Sequence, residues 1–165
     1  MQDHQLIQLM KQGMRRLASG VCVLSARLAD GEAFLMTVTS VTSVSDNPPS
    51  LLVCVNRQIQ RHAELLPVGS RFAINLLNID QSEISNLCAG RYDDRDRLSI
   101  GNWNQDEWLF LADAQASFCC VTDKAVSYGT HEILFGRIEK VKIHNNEVDP
   151  LIYANGQYGS FKSLS

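Results

Sequence analysis

The chain lacks most of the signatures by which small proteins declare their chemistry. No G-x-G-x-x-G follows a candidate strand, and no G-x-x-x-x-G-K-[ST] is present. The glycine-rich turns that seat phosphates on a helix N-terminus are therefore missing. No G-x-S-x-G elbow and no H-E-x-x-H occurs, and His4, His62, His131 and His144 are scattered. A nucleophile-elbow hydrolase and a helix-borne zinc site are thus not expected. The five cysteines (Cys22, Cys54, Cys88, Cys119, Cys120) are odd in number, irregularly spaced and without a C-x-x-C. Neither a zinc site nor a disulfide framework is expected, and small buried hydrophobes in a reducing cytoplasm fit best. No apolar run is long enough to span a bilayer, and Met1-Gln2-Asp3-His4 opens no basic segment with an apolar run behind it. Neither a membrane span nor a secretory signal is expected. Charge of one sign is lacking too: the formal net charge is −3, which gives nucleic acid no broad attraction.

What is present is an ordinary globular composition, 45% hydrophobic and 20% charged over 165 residues, sized for a single domain spanning residues 1–165. Leu6, Met10, Met14 and Leu17 recur at helical spacing, which predicts a helix from about Gln5 to Leu17. The period then shortens. A strand over Val21 to Leu28, a turn at Asp30-Gly31 and a return strand over Ala33 to Val38 read as a hairpin. Thr37 to Asn47 is dense in Ser and Thr and closed by Pro48-Pro49, which suits an irregular loop.

Further strands are expected at Leu51 to Val55, Phe72 to Leu77, Ala114 to Thr122, Ala125 to Tyr128, Glu132 to His144 and Leu151 to Ala154. A short helix is expected over Gln60 to Leu66, and another from an Asp80 N-cap to Ala89 with Gly90 at its end. Residues 91 to 110, with Trp103 and Trp108, read as a long, partly irregular connection. The pattern favours a mainly β, antiparallel barrel with an N-terminal helix and short peripheral helices over a parallel doubly wound sheet.

The stretch Met36 to Pro49 is the most informative. Hydroxyls and loop amides together solvate a phosphate or the polar edge of a heterocycle, and the twin prolines restrict the loop beforehand. On composition alone a solvated surface loop is the commoner reading. Arg57 follows the Leu51 strand, where a fixed guanidinium meets a phosphate well, although most single arginines are solvated.

Here the chain resembles the short-chain flavin reductases. The residues that carry the resemblance are Met36-Thr37-x-x-Ser40-x-Thr42-Ser43-Val44-Ser45-x-x-Pro48-Pro49, Leu52-Val53-Cys54-Val55-Asn56-Arg57, Phe72-Ala73-Ile74-Asn75-Leu76-Leu77, Cys88-Ala89-Gly90 and Arg97-Leu98. The C-terminal half adds Ala112-Asp113-Ala114-Gln115-Ala116, Gly129-Thr130-His131, Leu134-Phe135-Gly136-Arg137-Ile138 and Pro150-Leu151-Ile152-Tyr153. The nearest likeness is to the reductase components of two-component flavin-dependent monooxygenases, such as the 4-hydroxyphenylacetate 3-monooxygenase system.

The resemblance implies a Greek-key split β-barrel that binds FMN or FAD and takes hydride from NADH or NADPH. It also implies a homodimer and a separate oxygenase partner. It places Thr37, Val38, Thr39 and Ser40 along the flavin ring edge, and Ser43, Val44 and Ser45 beside the ribityl chain or phosphate. Asn56, Arg57 and Gln58 close the phosphate end. Ala89 and Gly90, with Arg95 or Arg97, approach the flavin tail. His131 sits where the nicotinamide stacks, and Tyr158 shapes the NAD(P)H side.

Each role has a bland rival: His131 as a turn cap, Tyr158 as packing, and the Arg91 to Arg97 cluster as a self-neutralising loop among Asp93, Asp94 and Asp96. Thr39, Val41 and Ile59 stand where the family often has Asn, Phe and Ser, which removes an aromatic wall and one phosphate ligand. Hydride transfer between stacked rings needs one open flavin face rather than an acid–base dyad. The rival function is a non-catalytic flavin-binding or electron-carrier protein on the same barrel.

Overall fold

The computed structural model describes residues 2–91 and 95–164. The expected Arg91 to Arg97 cluster therefore falls partly outside the described residues, at 92–94. Helix α1 (Gln2–Met14) leads into β1 (Ser19–Gly20), β2 (Cys22–Arg27), β3 (Ala33–Val38), β4 (Thr42–Asp46) and β5 (Pro49–Asn56). A 3-10 turn at His62–Leu65 precedes β6 (Arg71–Leu76) and α2 (Ser82–Cys88). Then come β7 (Trp103–Asn104), β8 (Phe110–Leu111), β9 (Ala116–Tyr128), β10 (His131–Ile143), β11 (Ile152–Ala154) and β12 (Gln157–Gly159).

Seven strands form one antiparallel sheet in the order β3-β2-β6-β9-β10-β5-β4. Strand β5 alternates, with Leu51, Val53 and Val55 buried and Ser50, Leu52, Cys54 and Asn56 half-buried, as a sheet with one core face requires. Met36 and Val38 near one edge share a core cluster with Val53 and Val55 near the other, around Leu24, Phe72, Ile74 and Leu134. The sheet therefore curls onto itself as a split barrel. A second cluster packs Val21, Val23 and Leu35 beneath Ile84 and Cys88 of α2.

The two edge strands, β3 and β4, are consecutive in the chain, so residues 39–41 must carry it from one edge to the other. Four Cα steps span at most about 14 Å. The crossing thus pins the barrel's two edges together at this end.

Five expectations need correction. The Thr37 to Asn47 stretch is not a continuous loop, because Thr42–Asp46 pairs with β5. Its hydroxyls suit an edge strand that faces water. Pro49 opens β5, where a missing N–H costs least. The two strands expected at Ala114 to Thr122 and Ala125 to Tyr128 are one strand, β9, in which Asp123 is the extra residue where the register with β10 shifts. That bulge absorbs the charged pair that breaks the apolar pattern. Asp80 caps nothing: α2 starts at Ser82 behind Gln81, whose side chain accepts from the Asn78 N–H at 2.8 Å. Helix α1 ends at Met14, and its stripe stays exposed, Leu6 at 67% and Met14 at 57%. Finally, Gln157–Gly159 forms a further strand, β12, beyond the strands expected from the sequence.

Candidate functional site

The crossing is the centre of the site. Its hydroxyls divide into those committed within the protein and those left over. Thr37 Oγ1 donates to Ser85 O of α2 at 2.5 Å. Ser40 Oγ accepts from the Cys54 N–H at 3.1 Å and donates to Cys54 O at 3.2 Å. A side chain thereby continues the β5 ladder where β4, whose pairing stops at Thr42 opposite Leu52, no longer reaches. Val38 is buried in the barrel. The Thr39 hydroxyl has no hydrogen-bond partner among the described residues, and Thr39 lines two adjoining clefts.

The first cleft, about 470 Å³, opens into the barrel mouth between the crossing and Cys22, Leu51, Leu76 and Phe118. Burial pushes the Cys22 thiol up to about 12, so it is a neutral wall and not a nucleophile. The second, about 610 Å³, lies between the crossing, α1 and the β11–β12 hairpin, with Met10, Lys11, Met14, Arg15 and Tyr153 on its walls. The C-terminal end of α1 is tied to that hairpin where the Asn155 N–H donates to Arg15 O at 2.6 Å. Sequence reasoning missed Lys11, Arg15 and Tyr153. Their signal was the i,i+4 spacing of the two cations beside the Met10–Met14 stripe.

At the other end of β5 a second group assembles. His131 opens β10 directly opposite Asn56. The Asn56 side chain accepts from the Gln58 N–H at 2.9 Å, and the Arg57 N–H donates to Thr130 O at 3.0 Å. The half-buried His131 ring bonds Thr130 Oγ1 through Nδ1 at 2.8 Å. Arg57 Nε lies 3.3 Å from Glu132 Oε1, and its Nη1 donates to Gly129 O at 3.3 Å. Neither Arg57 nor His131 lines either cleft.

A third group surrounds α2. Tyr158 Oη lies 2.8 Å from Ser85 Oγ and donates to Asn86 Oδ1 at 2.9 Å. Its ring meets Tyr153 edge-on at 5.5 Å between centroids, so the cleft's aromatic wall is Tyr153 with Tyr158 behind it. Ala89 caps α2, and Gly90 follows with φ 78°, a left-handed value at which glycine costs least. Arg97 donates to Leu35 O across the back of β3, next to Gly90. Arg95 pairs with Glu83 at 3.3 Å.

The residues expected at the phosphate do not form one cluster. Ser43 and Ser45 on β4 sit opposite Leu51 and Ser50, at the far end of β5 from Arg57. At the strand rise this separation is about 20 Å. Ser45 Oγ accepts from the Asn47 N–H at 3.1 Å, and Val44 is 45% exposed. The structure thus ties Ser40 to β5 at Cys54, gathers Asn56, Arg57 and His131 beyond it, groups Thr37, Gly90, Arg97 and Tyr158 around α2, and sets Ser43, Val44 and Ser45 apart. Trp108 is buried and Trp103 half-buried, its Nε1 donating to Ile100 O at 2.8 Å, in keeping with a packing role for both.

Residues 14–162 match the family model described as the flavin reductase like domain. The chain is 37% identical over 148 residues to the reductase component of the FADH(2)-dependent resorcinol hydroxylase of Rhizobium sp. (strain MTP-10005), covering 88% of this chain and 82% of that one. It is 31% identical over 150 residues to the FMN reductase (NADH) RutF of Pseudomonas syringae pv. syringae, covering 90% and 83%. Among solved structures, the styrene monooxygenase flavin reductase of Pseudomonas putida S12 superposes with a TM-score of 0.81 at 26% identity, covering 93% and 97%.

Proposed function

We propose that this chain, which belongs to the flavin reductase like domain family, is an NAD(P)H:flavin oxidoreductase that reduces FMN or FAD by hydride transfer and supplies reduced flavin to a separate oxygenase. The observation that carries this reading is the crossing at residues 39–41, which lines two adjoining clefts of several hundred cubic ångströms each. Hydride transfer needs the two rings in direct contact at about 3–3.5 Å, so the nicotinamide would enter over the exposed flavin face where the two clefts adjoin at Ser19, Thr39, Val41 and Thr42. The bound flavin supplies the hydride-accepting ring; the protein supplies position and exclusion of water.

The roles of the chain follow from which groups are free. Thr37 and Ser40 spend their hydroxyls on α2 and β5, so they hold the crossing rigid and leave its backbone and the Thr39 hydroxyl toward the ligand. Arg57 offers the free edge of its guanidinium to the 5′-phosphate, with Asn56 and Gln58 shaping the turn. Gly90 and Arg97 stand behind β3 for the tail of a longer flavin. His131 has Nδ1 occupied by Thr130, which leaves Nε2 for a ligand that extends past the clefts to the Arg57 end of β5. Met10, Met14 and Tyr153 give the second cleft an apolar floor, and Lys11 and Arg15 give it positive charge, which suits a nicotinamide nucleotide.

We further infer a cytoplasmic homodimer. Five unpaired thiols fit a reducing compartment. The exposed α1 stripe and the half-buried outer face of Leu52, Ile133 and Phe135 offer apolar surface that a second copy would cover.

The test is oxidation of NADH or NADPH by the purified protein, followed at 340 nm with added FMN or FAD. Flavin-dependent turnover with at least one nicotinamide is the expected result. Its absence with all four combinations would overturn the assignment.

A further inference from the structure

Glu132 is a carboxylate in an unusual place. It lies on the inward-facing register of β10 with Leu134 and Gly136, and it is only 3% exposed. A buried charge of this kind is tolerated only when paired and fully hydrogen-bonded. Both of its oxygens are satisfied: Oε1 by Arg57 Nε at 3.3 Å, and Oε2 by Ser127 Oγ, which donates at 2.6 Å. Arg57 by contrast is half exposed, its side chain 52% accessible. Of its five N–H groups, Nε is spent on Glu132 and one Nη1 hydrogen on Gly129 O. Nη2 and the second Nη1 hydrogen have no hydrogen-bond partner among the described residues.

We propose that Glu132 is a positioning residue for flavin binding. From beneath the barrel end it locks the Arg57 guanidinium in one orientation, so that its outer edge is presented to the 5′-phosphate of the flavin. This rests on the reading of Arg57 as a phosphate ligand. The reason is geometric. An unanchored arginine searches many rotamers and loses that freedom on binding. A guanidinium clamped at Nε and Nη1 has already lost it, and its planar fork stays aligned with two phosphate oxygens. The carboxylate's charge by itself works the other way, since a buried negative group repels a phosphate. Orientation and Coulomb repulsion therefore give opposite signs, which makes the proposal decidable.

The experiment compares FMN with riboflavin, which lacks the phosphate, as substrates of the wild-type protein and of Glu132→Gln, Glu132→Ala and Arg57→Lys. The readout is the ratio of kcat/KM for FMN to that for riboflavin. A general loss of folding lowers both values and leaves the ratio alone. The expected result is a ratio well above one in the wild type, cut about fivefold in Glu132→Gln and about tenfold in Glu132→Ala. The loss should fall in KM for FMN and not in kcat. Glu139→Gln, an exposed carboxylate on the same strand that pairs with Arg137 at 3.0 Å, serves as the charge control, and its ratio should equal that of the wild type. An unchanged or increased ratio in the Glu132 variants, with Arg57→Lys still lowering it, overturns the positioning role alone. No preference for FMN in the wild type, or none lost in Arg57→Lys, overturns the reading of Arg57 beneath it.

Discussion

Gly136 shows how tightly single residues are specified in this barrel. A Cβ at that position would lie 2.5 Å from Phe72 Cζ and 3.1 Å from Cys120 Cβ. Phe72 is 1% exposed and Cys120 is fully buried, so neither neighbour has room to retreat. Its role is therefore steric, where Phe72 of β6 and Cys120 of β9 press against β10. Gly136→Ala is expected to cost about 2 kcal/mol, in the range for overpacking a dense core, read as a lower denaturant midpoint at unchanged m-value. At this scale the chain was partly legible. Gly136 was recognisable as part of Leu134-Phe135-Gly136-Arg137-Ile138, but nothing local says that a phenyl ring 64 positions away requires it. Glu132 is similar. Its place at the start of the strand expected over Glu132 to His144 was visible, whereas its partner Arg57 becomes known only once β5 and β10 pair.

Among the elements, the barrel wall is tied on its outer face, beneath β8, by one side chain. Asn75 on β6 is fully buried. Its Nδ2 donates to Val23 O and to Ser25 Oγ, each at 2.9 Å. Its Oδ1 accepts from the Leu111 N–H at 2.8 Å and from Ser117 Oγ at 2.9 Å. One amide thus joins β2, β6, β8 and β9 and satisfies groups that burial would otherwise strand. Asn75→Leu keeps the volume and removes every partner, so a loss of about 3 kcal/mol is expected. The Leu111 amide, left without an acceptor, should also exchange with solvent faster than its neighbours by NMR. The strand holding Asn75 was readable from Phe72 to Leu77; its cross-links were not, because the partners lie up to 52 residues away. Strand β4 failed in the opposite direction. Its run of hydroxyls carries no apolar alternation, so only the ladder with β5 reveals it.

Across the whole molecule, the curled sheet seals its thiols. Burial pushes Cys22, Cys88 and Cys120 up to about 12. In the unfolded chain they ionise around the ordinary thiol value of 9.0. Between these limits the folded state holds protons that the unfolded state has released. Stability is therefore full below pH 9 and falls above it, by about 1.4 kcal/mol per pH unit for each such thiol. Guanidinium titrations at pH 8 and pH 10 should show the midpoint dropping. At pH 8 the native protein should offer alkylating agents mainly Cys54, the one thiol that is only half-buried.

The sequence by itself determined where strands alternate, where Asp30-Gly31 turns the first hairpin, and the order of segments that marks the family. These signals sit within a few residues of one another, at the reach of backbone propensity and side-chain periodicity. The tertiary structure alone decided that residues 39–41 bridge the two edges of the barrel, that Ser43 and Ser45 lie about 20 Å from Arg57, and that Glu132 sits beneath that arginine. Each of these depends on strand register across the curled sheet, and register is set by the burial of a whole face at once, which no local stretch of residues encodes.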